Sequence, residues 1–111
     1  MIDEKEKQIC QGLFDSGNTF FITFEKNDLD YMLGYNADQD LWKCTDITHT
    51  EDQKDDIVSF DPPITEEKAA ELLKQFLVDE NTKITLMSRC TARKGLEARR
   101  PGTDWTPIIY P

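Results

Sequence analysis

Long apolar runs are missing from this chain. None approaches the roughly 18 residues that a membrane-spanning helix needs. The first residues, Met1-Ile2-Asp3-Glu4-Lys5-Glu6-Lys7, are charged where a secretory signal would be apolar. Both absences lead to the expectation of a cytoplasmic protein with no membrane partner. Histidine is nearly absent, His49 being the only one. Glycine is scarce, at 5 in 111 residues, and neither Gly-x-Gly-x-x-Gly nor a Walker-type glycine loop occurs, so no nucleotide-cradling loop can be argued. The cysteines, Cys10, Cys44 and Cys90, are odd in number and widely spaced, which argues against a disulfide framework. They read as free thiols buried as small hydrophobes. No Cys-x-x-Cys or paired-histidine spacing is present, so no metal and no cofactor is expected.

The same thinness extends to catalytic groupings. Cys44 and His49 lie five positions apart, which on a strand puts them on opposite faces. The carboxylate pairs Asp28/Asp30, Asp55/Asp56 and Glu66/Glu67 fall in expected turns, loops or a helix start, where they are solvated rather than tuned. Asn36, Asp38 and Asp40 have the opening spacing of a calcium loop. Leu41 and Ile47 then stand where the loop would need glycine and a bidentate glutamate, so a hairpin turn is the reading. The sequence therefore points away from an enzyme.

What the chain does have is charge, unevenly spread. It carries 22 acids against 13 bases, a net charge of −9. Residues 1–82 hold 20 of those acids and 7 of the bases, a net of −13, whereas residues 83–111 sum to +4. Hydrophobic residues make up 38% of the sequence, with six Phe, three Tyr and two Trp, too apolar and too aromatic for a disordered chain. The length suits one domain with a modest core.

Periodicity divides the chain into elements. Asp3 to Phe14 reads as a short helix capped by Asp3, with Glu6 three residues on as a loose capping box. Thr19–Phe24, Leu29–Tyr35 and Leu41–Thr48 read as three strands of an antiparallel meander, joined by turns at Lys26–Asp28 and Asn36–Asp40. A short strand is expected at Ile57–Phe60, closed by Pro62 and Pro63. Thr65 caps the clearest helix, whose stripe of Ala69, Leu72, Leu73, Phe76 and Leu77 recurs at helical spacing. Lys83–Met87 alternates as a last strand, with Ile84 and Leu86 on one face; beyond Cys90 the pattern dissolves. The expected fold is α+β: an antiparallel sheet of four to five strands with two helices on one face, in the order α-β-β-β-β-α-β plus a C-terminal tail. Residues 1–90 form the acidic body and residues 91–111 a basic, then apolar, segment packed on the same domain.

Two surfaces compete for function. One is the acidic loop with Glu51, Asp52, Asp55 and Asp56, suited to a protein partner with a basic surface. On this reading the chain is a non-enzymatic interaction protein, a regulator or an inhibitor that occupies a nucleic-acid-binding surface of its target. The other is the basic segment with Arg89, Arg93, Lys94, Arg99 and Arg100, suited to nucleic acid or another anionic ligand. Those arginines could equally fold back onto the acidic body. Trp105 and the apolar tail either complete the core or serve as a docking element.

Overall fold

Asp3 starts the first helix as its spacing predicts. In the computed structural model, which describes residues 1–48 and 59–108, its carboxylate accepts a hydrogen bond from the Glu6 backbone N–H at 2.9 Å. Helix α1 then runs over Glu4–Asp15 and stops at Ser16. Strands β1 (Thr19–Lys26), β2 (Leu29–Asn36) and β3 (Leu41–Asp46) follow as the expected meander. Asn27 and Asp28 both adopt positive φ, 52° and 64°, which matches the strand twist through a two-residue hairpin. Helix α2 covers Glu66–Val78, with the Thr65 hydroxyl accepting from the Lys68 N–H at 3.1 Å. Strand β4 (Thr82–Thr91) comes next.

The C-terminal segment is more regular than its sequence suggests. It supplies β5 (Gly95–Arg99) and the short β6 (Thr106–Pro107). The sheet is therefore antiparallel with six strands, in the order β3-β2-β1-β4-β5-β6, rather than four to five. Of the strand expected at Ile57–Phe60, the first two residues and His49 lie outside the described residues. Ser59 and Phe60 take no strand conformation. Among the described residues no helix is long and apolar enough to cross a membrane.

Both helices pack on one face of the sheet. Phe20, Ile22 and Phe24 alternate inward from β1, and Leu33, Trp42, Ile84 and Met87 join them from its neighbours. From the helices come Cys10 and Leu13 of α1, and Ala69, Leu73, Phe76 and Leu77 of α2. The stripe read from the sequence is this contact.

One register expectation fails. Ile84 and Leu86 do not share a face, because the β1–β4 register shifts between Thr23 and Phe24, leaving Thr85 as an extra residue. The Thr85 hydroxyl donates to the Thr23 carbonyl at 3.1 Å. Past this bulge the inward residue is Met87, fully buried, and Leu86 turns outward with 39% exposure.

The opposite sheet face is partly covered near β2 and β3. Phe60 lies against Phe21, with ring centroids 6.1 Å apart, and buried Lys43 reaches under it to the Ser59 carbonyl at 3.1 Å. Phe21 in turn lies flat on Gly34, where a Cβ would sit 2.5 Å from its Cδ1. Gly34→Ala is thus expected to destabilise the fold by about 1–3 kcal/mol through overpacking. Urea melts check this, and an unchanged midpoint would mean that the ring moves aside freely.

Candidate functional site

Arg99 is the least exposed of the cations suggested as an anion site. It leaves β5 toward the helices and meets Glu6 of α1 in a bidentate pair, Nη2 to Oε1 at 2.9 Å and Nη1 to Oε2 at 2.5 Å, both side chains almost wholly buried. Its Nε donates to the Thr103 carbonyl at 3.0 Å, and the Gly102 N–H donates to Glu6 at 3.1 Å. The Arg99 hydrogen bond holds the Glu6 carboxyl below the usual glutamate range, against the opposing effect of burial. Glu6 therefore does not close a capping box with Asp3. It ties the first turn of α1 to the β5–β6 turn.

Arg89 is also taken up internally. Its Nε and Nη2 both reach Glu97 Oε1 at 3.1 Å, and its guanidinium lies 3.9 Å from the centroid of the Trp105 ring. Trp105 packs against the core edge between the two arginines, with Arg99 5.9 Å from the same ring. The indole is thus a cover over ion-paired arginines. The remaining cations are exposed but apart. Arg93 and Lys94 sit in the β4–β5 turn and Arg100 just beyond the far end of β5. A five-residue strand spans roughly 17 Å, so they do not converge.

The acidic loop residues Glu51, Asp52, Asp55 and Asp56 lie outside the described residues. Near the point where the described chain resumes, another set of acids comes together. Asp40, at the end of the β2–β3 turn, accepts a hydrogen bond from the Tyr35 hydroxyl at 2.8 Å. That bond, with lesser effects of burial and of the charges on Asp40 and Glu66, raises the Tyr35 pKa. Asp61 shares a shallow cleft of about 440 Å³ with Gln39, Leu41, Phe60 and Pro63. Asp38, Asp40, Asp61 and Glu66 are all exposed. The Asn36–Asp40 segment is the hairpin turn expected of it, with Asn36 and Gln39 hydrogen-bonded across it.

The thiols are free, but only partly as expected. Cys10 is buried and Cys44 half-buried, and burial pushes their pKa values up to about 12 and about 11. Cys90 is exposed on the sheet face away from the helices, not buried.

Sequence reasoning missed the acids that complete these pairs. Glu97 could have been found, since it stands opposite Arg89 once residues 95–99 are taken as a strand paired with β4. Glu6 carries no such signal, being 93 positions from its partner. No protein-family model, no curated protein and no solved structure matches this chain.

Proposed function

We propose that this chain is a small non-enzymatic protein of the cytoplasm that binds another protein through its acidic surface. The partner presents a basic surface, and the chain acts on it as a regulator, or as an inhibitor that occupies a nucleic-acid-binding groove. One observation carries the reading: the basic segment spends Arg89 and Arg99 on internal glutamates. The positive charge of residues 83–111 is then no concentrated anion site, because Arg93, Lys94 and Arg100 are split between two turns. Apart from Glu6 and Glu97, the acids of the candidate site described above remain exposed: Asp38, Asp40, Asp61 and Glu66 all face solvent. Asp40 and Glu66 both act on Tyr35, and Asp61 shares a cleft with Gln39 and Leu41 of the adjoining turn. Glu51, Asp52, Asp55 and Asp56 precede Ser59, which lines the same cleft as Asp61.

The test compares two charge-neutralised variants against whatever the wild type captures from a lysate of the source cells. Asp52→Asn/Asp55→Asn/Asp56→Asn, with or without Asp40→Asn/Asp61→Asn, should slow association more than it speeds dissociation, as loss of steering charges does. Wild-type binding should weaken with salt as the Debye length falls from about 10 Å at 0.1 M to about 3 Å at 1 M. Arg93→Ala/Lys94→Ala/Arg100→Ala should leave binding unchanged. If only this second variant loses its ligand, and the ligand is nucleic acid or another polyanion, the basic segment is the site and the proposal is wrong.

A further inference from the structure

About a third of this chain is charged, yet among the described residues one solvent-facing region of the sheet carries no charged side chain. It lies on the face away from the helices, across β4, β5 and β6. The pairing register puts Leu86, Ser88, Cys90, Leu96, Ala98 and Ile108 there, with Thr23 of β1 continuing the surface up to Phe21, where Phe60 and Lys43 close over it. Leu86 and Ile108 are 39% and 36% exposed, and Cys90 is exposed beside them. An antiparallel sheet that faces water normally alternates apolar inward with polar outward. In β5 that order is inverted: Glu97 and Arg99 point in, and Leu96 and Ala98 point out. Phe60 and Lys43 cover the β2–β3 side of this face, but the β4–β6 side retains its exposed residues.

We propose that this neutral strip is a self-association surface, and that its occupant is the same strip of a second copy of the chain. Charge selects that occupant. A basic protein is drawn to carboxylates and a polyanion to cations, and among the described residues the strip offers neither. Two copies at −9 each repel over most of their surfaces. The strip lets them touch without opposing like charges. A two-fold contact satisfies it because each copy presents the same surface. The sheets would then stack face to face about 10 Å apart. Four strands at roughly 4.8 Å spacing and about 20 Å of length give about 400 Å² per copy and about 800 Å² in total, the size of a weak, transient contact and short of the roughly 1,000 Å² of a stable interface. The dimer is therefore weak and reversible.

This proposal does not rest on the acidic-surface reading, and its salt dependence has the opposite sign. Screening removes the repulsion between two acidic bodies, so salt should strengthen the dimer. The test is sedimentation of the full chain over a concentration series, together with the rate at which a maleimide modifies Cys90. Mass should rise toward a dimer with concentration and with salt, and Cys90 should react several-fold more slowly as it does. Leu86→Lys, at an exposed position, should keep the protein monomeric and Cys90 fast at every concentration; Ile108→Lys is the second variant should the first fold poorly. A monomer throughout, with Cys90 fast, overturns the proposal. So does a monomer with Cys90 slow at every concentration, since the strip is then covered by its own chain. A dimer that survives both variants, or that leaves the Cys90 rate unchanged, uses another surface and overturns it equally.

Discussion

Arg99→Ala is expected to lower the unfolding free energy by about 3–5 kcal/mol, the usual range when one partner of a buried pair is removed. The Glu6 carboxylate would stay buried beneath the β5–β6 turn with the Gly102 N–H as its remaining donor among the contacts described here. The Thr103 carbonyl would lose its Nε donor at the same time. Urea melts followed by tryptophan fluorescence measure the loss, because Trp105 lies between Arg99 and Arg89 and reports the local packing. Replacing both partners, Glu6→Met with Arg99→Met, should recover much of it, since the expensive species is the unpaired charge and not the missing bridge. A loss below about 1 kcal/mol for Arg99→Ala would mean that water reaches the pair and screens it. The pair also sets an acid limit. Glu6 titrates below its ordinary value in the folded protein, so its contribution is complete above the unfolded glutamate pKa of about 4.3. That contribution falls away as pH drops through the lower folded value. The wild type should thus lose stability in that acid window, and the double methionine variant should lose less there.

Phe76→Ala should cost a similar amount, about 3–5 kcal/mol, for a different reason. Phe76 stacks on Phe24 with ring centroids 4.5 Å apart and planes 10° from parallel, and Tyr31 approaches it at 5.7 Å. Truncation leaves a cavity between α2 and the centre of the sheet, bounded by the Phe24 ring, which a strand cannot easily move to fill. Denaturant unfolding measures the effect. A loss below about 1 kcal/mol would mean that the face of α2 is not packed as described and is free to receive a partner.

The legible parts of the fold were those whose buried residues are apolar and close in sequence. The β1-β2-β3 meander follows from clean alternation and tight turns, and α2 from one stripe and one cap. Strand β5 was illegible for a physical reason. Its inward residues, Glu97 and Arg99, are charged, and its outward ones, Leu96 and Ala98, are apolar. A reader who assigns charge to the surface turns this strand inside out or discards it. The bulge at Thr85 disguised β4 in a milder way by moving Leu86 to the outer face. The basic segment is legible only in outline: its sequence allows the arginines to fold back onto the acidic body but does not say that Arg89 and Arg99 do so while Arg93, Lys94 and Arg100 stay exposed. No local pattern could have paired Arg99 with Glu6. The pairing follows only once α1 and β5 are known to lie on the same sheet face.

The strand order also has a consequence for how the molecule assembles. Strands β1, β2 and β3 are consecutive neighbours, as are β4, β5 and β6, so each trio closes through short turns. Among the strand pairs of the described sheet only the seam between β1 and β4 is non-local, its nearest partners being Lys26 and Thr82. Closing a loop of that span opposes folding by about 3–4 kcal/mol of chain entropy before any seam contact offsets it. The folding barrier should gather there, with two local meanders forming early and searching for each other. Helix α2 lies within that loop and packs on the core beside the seam, and the Glu6–Arg99 clasp ties α1, which precedes the first trio, to the second trio. The interactions that hold the native state longest would then be those made last: they resist unfolding without speeding folding, and the chain's lifetime once folded depends on them.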